Sequence, residues 1–98
     1  MPKALKRCAK DRVKWTSRQA YVERVSLSKM LRKLGRPSCT QEDGETHWRT
    51  KREWIVPMGK SYLTVYDWDD QDINDDWNIG GKKADKAKAK KLKKYLES

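Results

Sequence analysis

The chain has 98 residues, of which 36% are hydrophobic and 39% are charged, and it contains no Phe. This length is typical of one small domain, and the low apolar content leaves much of its core to five Trp and four Tyr residues. No apolar run approaches the roughly 18 residues that a membrane span needs, and residues 1–10 lack the apolar region of a secretory signal. We therefore expect a single cytoplasmic domain over residues 1–98.

The charges are segregated along the chain. Residues 1–40 contain 12 Lys or Arg and 2 Asp or Glu, a net charge of +10, whereas residues 41–80 contain 4 and 10, a net charge of −6. Residues 81–98 contain 8 and 2, a net charge of +6. Basic ends on an acidic body favour a polyanionic partner, above all nucleic acid. The alternative is that the lysine-rich ends only keep a small protein soluble.

The first 25 residues allow more than one interpretation. Apolar residues recur at every fourth position, at Leu5, Ala9 and Val13. This spacing predicts a basic helix over residues 2–18, and a disordered basic arm over residues 1–17, ending near Trp15, is the alternative. Residues 18–25 are predicted to continue as helix, with a short strand as the alternative, and in either case Tyr21 and Val25 are expected to face inward.

The segment from Ser26 to Leu34 shows the clearest helical pattern. Its apolar residues fall at the spacing of one helix face, at Leu27, Met30, Leu31 and Leu34. Ser26 is a natural N-cap, Gly35 is typical of the position after a helix, and Pro37 prevents continuation. Basic residues are predicted on the outer surface of this helix, namely Lys29, Arg32, Lys33 and Arg36.

A β-hairpin is predicted next, with strands from His47 to Val56 and from Ser61 to Trp68. Residues 57–59, Pro-Met-Gly, are typical of a three-residue hairpin loop with a bulge. Residues 69–76 are predicted to form an acidic loop, and residues 77–79 are predicted to be a third, short strand. The side chains expected to be buried in the core are Trp54, Val65, Trp68 and Trp77.

Residues 85–98 are built largely from Ala, Lys and Leu, which are strong helix formers. Their apolar positions make a weak stripe that lysines interrupt, so this C-terminal helix is expected to dock loosely on the body. Its predicted basic surface consists of Lys86, Lys90, Lys93 and Lys94.

A phosphate-binding site is predicted where the third strand meets this helix. Gly80 and Gly81 could direct successive backbone N–H groups into one concavity, and the N-terminus of a helix adds partial positive charge. Lys82 and Lys83 would supply two further charges. Trp77 adjoins the glycines and is the predicted stacking partner for a base. The alternative is that the two glycines only turn the chain into the helix.

No catalytic or metal site is predicted. His47 has no partner at zinc spacing, and the 31-residue separation of Cys8 and Cys39 forms no CxxC motif, so both cysteines are expected to be free thiols. The acidic loop lacks the Gly and Glu that a calcium loop requires. No nucleophile or general-base signature appears. We therefore expect a non-catalytic binding protein without cofactor or metal.

The predicted fold class is α+β, with a basic N-terminal helical part, a two- or three-stranded antiparallel sheet and a C-terminal Lys-rich helix. A minor alternative is a winged-helix domain, because residues 26–39 followed by a hairpin are similar to its core helix and wing. Residues 37–46 are too short and too rich in turn formers to hold the recognition helix of that fold.

One pattern resembles a known group of proteins. TVYDW at residues 64–68, an acidic spacer, and WNIGG at residues 77–81 resemble small bacteriophage accessory proteins. The resemblance implies a host-takeover or counter-defence factor that acts inside the host cell. Such factors bind a nucleic acid, a nucleotide-type ligand or a host protein. The leading hypothesis is a phosphate-bearing ligand, and the alternative is inhibition of a host or defence enzyme through the Trp/Tyr sheet and the Asp loop.

Overall fold

The computed structural model describes residues 2–14, 16–44, 51–67 and 76–98. Within these residues the protein is α+β, as predicted, with two α-helices. The predicted number of strands is wrong: the antiparallel sheet has five strands rather than two or three, in the order β1-β5-β4-β3-β2. The elements are β1 (Ser17–Val22), α1 (Leu27–Leu34), β2 (Cys39–Thr40), β3 (Arg52–Met58), β4 (Ser61–Tyr66), β5 (Trp77–Gly81) and α2 (Lys86–Glu97). Neither helix of the described residues has the length and apolar character needed to cross a membrane.

Helix α1 is confirmed, together with its caps. The Ser26 hydroxyl accepts a hydrogen bond from the Lys29 backbone N–H at 3.2 Å, as an N-cap does. Gly35 has a φ of 88° and donates its N–H to the Leu31 carbonyl, which ends the helix. Met30 is buried against the sheet, whereas Leu31 is 40% exposed and lies at the edge of the apolar face.

The hairpin of β3 and β4 is confirmed, but its predicted loop is wrong. Met58 pairs with Ser61, which leaves a two-residue loop of Gly59 and Lys60. Gly59 has a φ of 65°, and the favoured two-residue hairpin turns need a positive φ at this first position. Pro57 is a strand residue, at a point of β3 that β2 does not reach. The predicted start of this strand at His47 lies outside the described residues.

The predicted helix over residues 18–25 is wrong, because the short strand considered as its alternative forms instead. Strand β1 pairs with β5, with Val22 opposite Trp77 and an irregularity between Arg18 and Ala20. Val22 is buried in the core, and Tyr21, expected to face inward, is half-buried on the opposite face. Pairing with a strand more than 50 residues away outweighs the weak local preference for helix.

The N-terminal segment, residues 2–14, forms neither the predicted helix nor a disordered arm. It runs along the sheet edge, where the Leu5 N–H donates to the Ile55 carbonyl at 2.8 Å and the Ala4 N–H donates to the Leu34 carbonyl at 2.9 Å. Its only helical part is a four-residue 3₁₀ turn, Lys10–Val13. Ala9 is fully buried, so the fourfold apolar spacing reflects packing onto the sheet rather than a helix.

Cys8 and Cys39 are joined in a disulfide, so the prediction of two free thiols is wrong. The N-terminal segment carries Cys8 over strand β2, where the two Cα atoms lie 4.8 Å apart. The disulfide packs beside Ile55 in a small cluster on the face of the sheet opposite α1 and α2. We call this the outer face, and the face that contacts α1 and α2 the inner face.

The main core lies on the inner face and is centred on two tryptophans. The rings of Trp54 and Trp77 meet edge to face at 5.4 Å, and both side chains are fully buried. Each indole N–H donates to a backbone carbonyl, Trp54 to Gly35 at 2.9 Å and Trp77 to Val25 at 2.7 Å. Val65 is also fully buried, so burial is confirmed for these three side chains. The predicted burial of Trp68 lies outside the described residues.

Helix α2 is not loosely docked. Ala89, Leu92 and Leu96 are fully buried, and all three belong to the main core. The Tyr95 hydroxyl donates to the Lys33 carbonyl at 3.1 Å, which ties α2 to α1. Loose docking was predicted because the apolar stripe is weak in the sequence, but the small residue Ala89 completes the buried face of the helix.

The disulfide generates a stability prediction. We expect the double substitution Cys8→Ala and Cys39→Ala to lower the free energy of unfolding by about 2–4 kcal/mol, because the disulfide restricts the unfolded chain. Denaturant unfolding followed by Trp fluorescence measures the change. A thiol reductant should weaken the wild-type protein by a similar amount and leave the double variant unaffected. An equal effect of the reductant on both proteins would contradict the disulfide.

Candidate phosphate-binding site

A cleft of about 690 Å³ lies between the N-terminal segment and the chain that leaves α1. Its volume is within the range of about 300–1,000 Å³ that is usual for small-molecule sites. The residues that line it are Lys3, Ala4, Lys6, Arg7, Cys8, Leu34, Gly35, Arg36, Pro37, Ser38, Thr40 and Asp43. We call it the basic cleft, because four of these residues are cationic and one is anionic.

The cations come from both walls of the basic cleft. Lys3, Lys6 and Arg7 belong to the N-terminal segment, and Arg36 follows α1. All four are exposed, and no carboxylate of the described residues forms a salt bridge with any of them. The single carboxylate, Asp43, accepts a hydrogen bond from Thr40. The cleft therefore offers an excess of uncompensated positive charge, which suits an anionic ligand.

Short hydrogen bonds hold the two walls of the basic cleft together. The Ser38 hydroxyl donates to the Leu5 carbonyl at 2.6 Å and accepts from the Ile55 N–H at 3.0 Å. One buried hydroxyl thus links the N-terminal segment, the chain after α1 and strand β3. The disulfide adds a covalent link between the same walls. The cations are therefore carried on backbone that is already positioned before a ligand arrives.

The predicted phosphate-binding concavity at Gly80 and Gly81 is wrong. Both glycines are buried residues of strand β5, where Gly80 pairs with Thr64 and with Arg18. Neither glycine has a positive φ. Extended backbone inside a sheet does not form the nest of N–H groups that holds a phosphate.

The two glycines are needed for close packing. A Cβ atom on Gly80 would lie 2.8 Å from Thr64 Cγ2, and one on Gly81 would lie 2.7 Å from Leu63 Cδ2. Lys82 and Lys83 are exposed just beyond the strand, and Lys83 begins the 3₁₀ turn that precedes α2. A phosphate contact at these two lysines remains a prediction.

The predicted stacking role of Trp77 does not fit the structure. Its side chain has no exposed surface, and its indole N–H is bonded to the Val25 carbonyl. A base cannot lie on a ring that is enclosed by the core. If the ligand contains bases, they must therefore stack on aromatic residues other than Trp77.

The predicted basic surface is divided among different parts of the fold. Arg36 lies in the basic cleft. Lys33 and Lys93 serve the fold, since each donates to a backbone carbonyl of another element, of Tyr95 and Tyr21 respectively. Of the remaining five residues, Lys29 is half-buried and the other four are exposed, namely Arg32, Lys86, Lys90 and Lys94.

The outer face of the sheet carries tyrosines and arginines. Tyr21, Tyr62 and Tyr66 are half-buried on this face. The guanidinium of Arg18 lies 5.8 Å from the ring centre of Tyr21, and that of Arg12 lies 5.5 Å from the ring centre of Tyr62. Such cation–π pairs combine a flat apolar surface with a positive charge.

A buried polar group lies between these tyrosines. Asn78 is 1% exposed, and its Nδ2 has no hydrogen-bond partner among the described residues. Its Oδ1 accepts from Arg18 Nη1 at 3.5 Å, which identifies the free atom as the N–H₂ donor. An unsatisfied buried donor is costly, and such groups call for an explanation.

The neighbouring carboxylate on the outer face is fully compensated. Glu53 is 7% exposed, accepts from the Thr64 hydroxyl at 2.8 Å and forms a salt bridge with Lys10 at 2.9 Å. Its charge therefore presents little repulsion to an anionic ligand.

The acidic loop is described only at its two ends. Asp67 is fully buried, forms a salt bridge with Arg52 at 3.0 Å and accepts from the backbone N–H groups of Lys51 and Arg52. Asp76 accepts from the Arg24 N–H. Both carboxylates thus hold backbone in place. The described ranges contain no group of three potential metal ligands, and Asp69, Asp70, Asp72 and Asp75 lie outside them.

Three cations of the cleft, Lys3, Lys6 and Arg7, are not among the site residues predicted from the sequence. A signal was present, because pairing Cys8 with Cys39 would have placed Arg7 beside the chain that follows Arg36. No protein-family model, curated protein or solved structure matches the chain. The chemistry of the basic cleft and of the outer face therefore carries the functional proposal.

The packing role of Gly80 generates a prediction. We expect Gly80→Ala to lower the free energy of unfolding by about 1–3 kcal/mol, because the added methyl group overlaps Thr64 Cγ2. Thr64→Ser removes that methyl group and keeps the hydroxyl that donates to Glu53. The Gly80→Ala penalty should therefore be smaller in the Thr64→Ser background. Denaturant unfolding of the four proteins gives the coupling, and purely additive effects would argue against this contact.

Tyr66 generates a pH prediction. Burial raises the pKa of Tyr66 above 10.0, its ordinary value, while the Arg18 cation lowers it and the Glu53 carboxylate raises it. Because the folded-state pKa is the higher one, the folded protein holds the phenol proton more tightly than the unfolded chain. This stability is complete below pH 10.0 and is lost as the pH rises through the folded-state value. Tyr66→Phe should reduce the alkaline loss of stability, measured by denaturant unfolding across that pH range.

Proposed function

We propose that the protein is a non-catalytic accessory factor of the bacteriophage type that binds a phosphate-bearing partner, a nucleic acid or a nucleotide-type ligand. The basic cleft is the proposed site of phosphate contact. In this role it acts in the host cell, in host takeover or counter-defence, as the resemblance in residues 64–81 implies. The observation that carries the proposal is the group of four exposed cations on two fixed walls around one cleft.

The residue types in the cleft suit phosphate. Arg7 and Arg36 can each donate two parallel hydrogen bonds to phosphate oxygens, and Lys3 and Lys6 add compact charges. The backbone bonds of Ala4 and Leu5 hold the first wall beside the second. A phosphate that enters the cleft therefore meets several donors without a large ordering cost.

The wider charge distribution supports the same class of partner. The chain has a formal net charge of +10, and α2 adds exposed lysines away from the cleft. Such a field accelerates encounter with polyanions and weakens as salt rises. The cleft would supply local contacts, and the remaining basic residues would supply attraction over longer distances.

The alternative function is inhibition of a host or defence enzyme through the sheet and the acidic loop. Trp54 and Trp77 cannot anchor such an interface, because neither has exposed surface. The half-buried tyrosines of the outer face would have to take that role. A protein interface built on aromatic anchors depends weakly on salt, whereas phosphate binding depends on it steeply.

A charge-matched pair of variants tests the proposed cleft. The cleft variant combines Lys6→Ala, Arg7→Ala and Arg36→Ala, and the control combines Lys86→Ala, Lys90→Ala and Lys94→Ala on α2. Each removes three positive charges from exposed positions, so both should melt near the wild-type temperature. The probes are a fluorescein-labelled oligonucleotide and a labelled nucleoside triphosphate, titrated at several salt concentrations.

The cleft variant should lose about 100-fold or more in affinity for at least one probe, since charge-assisted hydrogen bonds contribute about 1.5–3 kcal/mol each. Its salt dependence should fall by roughly 0.9 log unit per lost phosphate contact, measured against log salt concentration. The control should lose less. Equal losses of affinity in the two variants would show that the cleft binds the probes no better than the rest of the basic surface does. No binding of either probe by the wild-type protein would overturn the proposed function.

A further inference from the structure

We propose that the outer face of the sheet binds the bases of a single-stranded nucleic acid, with Tyr21 and Tyr66 as stacking surfaces and Asn78 as a hydrogen-bond donor. This inference rests on the proposed function and names its ligand class. The basic cleft would hold phosphate, and the outer face would hold bases. The inferred ligand is therefore a single-stranded nucleic acid, and neither a phosphate compound without bases nor a base-paired duplex.

The three residues lie in one row across three adjacent strands. Tyr21 on β1 and Tyr66 on β4 each pair directly with Asn78 on β5, so all three project from the outer face. Neighbouring strands are about 4.8 Å apart, which places the two tyrosine positions roughly 10 Å apart with the amide between them. Each ring can cover one base, because every base has an aromatic face.

Gly80 leaves room for one of these rings to lie on the sheet. It follows Asn78 on the same face of β5, and a Cβ atom there would be 3.5 Å from Tyr66 Cε1. The ring of Tyr66 therefore extends over bare backbone where any other residue would place a side chain. A ring in this position forms part of a flat surface, which is the shape that a stacked base requires.

Charge on the outer face suits the backbone of the same ligand. Arg18 is exposed beside Tyr21, so a base on the ring and a phosphate on the guanidinium can belong to one nucleotide. Arg12 lies over the ring of Tyr62 and forms a longer salt bridge with Asp11 at 3.7 Å. Among the described residues of this face, the buried carboxylate is that of Glu53, and it is compensated by Lys10 and Thr64.

The unsatisfied donor of Asn78 supplies the feature that is specific to a base. Its Nδ2 lacks a partner among the described residues, and the bond of its Oδ1 to Arg18 is long, at 3.5 Å. When the exposed Arg18 side chain turns to a phosphate, its bond to Oδ1 is lost, and the released Asn78 amide can turn its Nδ2 towards a base carbonyl or ring nitrogen. Amide side chains are common partners of base edges. Ligand binding would satisfy the donor that the free protein leaves without a bond.

A single strand fits this face better than a duplex does. Duplex bases are stacked on one another and show only their edges in the grooves, which a helix or a ribbon must enter. On the described part of the outer face, the tyrosines stand on a sheet and no α-helix projects beside them; the helical element there is the single 3₁₀ turn Lys10–Val13. Bases of a single strand are free to stack on such rings.

Three probes and three variants separate base binding from phosphate binding. The probes are a fluorescein-labelled single-stranded oligothymidylate, a duplex of the same length and inorganic polyphosphate. The test variant combines Tyr21→Leu with Tyr66→Leu. The control is Tyr95→Leu, a tyrosine on α2 remote from this face, and the cleft variant serves as the phosphate comparison. Melting temperatures verify folding.

The test variant should lose tenfold or more in affinity for the single strand and retain its affinity for polyphosphate. The cleft variant should lose affinity for both, and Tyr95→Leu should behave as the wild type. The wild-type protein should prefer the single strand to the duplex. The inference would be overturned if the test variant lost affinity equally for the single strand and for polyphosphate. Unchanged affinity of the test variant for the single strand would also overturn it. Failure of the wild-type protein to bind any probe would instead remove the proposed function.

A measurement on the wild-type protein covers the case in which the leucine variants unfold. An oligonucleotide carrying a photoreactive pyrimidine is crosslinked to the protein, and the modified peptides are mapped. Crosslinks on the peptides that contain Tyr21 or Tyr66 support the inference. Crosslinks confined to other peptides would overturn it.

Discussion

The fold depends on two indole N–H groups that each bond a backbone carbonyl. Trp54 donates to the Gly35 carbonyl at the end of α1, and Trp77 donates to the Val25 carbonyl just before the N-cap of the same helix. The rings pack edge to face between these two points. A helix of eight residues is too short to be stable alone. It is held at both ends by side chains of the sheet, and buried tryptophans can do this because the polar atom of each ring also finds a partner.

This anchoring also positions the basic cleft. Gly35, which accepts from Trp54, precedes Arg36, so the second wall of the cleft begins at a point fixed by the core. Ser38 and the disulfide then attach the N-terminal segment to the same stretch. The flexible lysine and arginine side chains therefore project from backbone that the core and the sheet edge already hold. Proteins often place binding groups in this way, on irregular chain supported by a rigid scaffold.

The division of aromatic residues between the two faces separates stability from binding. The described tryptophans of the sheet, Trp54 and Trp77, lie on the inner face and are fully buried. The tyrosines of β1 and β4 lie on the outer face, where their rings remain partly exposed and arginines approach them. On that face Glu53 bonds Thr64 and Lys10, whereas the amide nitrogen of Asn78 has no hydrogen-bond partner among the described residues. The protein has few apolar residues, and both described tryptophans of the sheet are buried in the core on the inner face. The outer face carries polar side chains and partly exposed tyrosines.

The sequence by itself determined the elements whose signals are local. The α+β class, the capped helix α1, the β3–β4 hairpin and the burial of Trp54, Val65 and Trp77 follow from spacing, caps and turn residues over a few positions. Arg36 was likewise identified as an outward cation. The tertiary structure alone decided the strand β1, the disulfide and the cleft wall that carries Lys3, Lys6 and Arg7. Each of these depends on contacts between residues about 30 or more positions apart, and local patterns do not encode such contacts. The glycines of β5 show the same limit, because their need for space comes from Leu63 and Thr64 on the neighbouring strand.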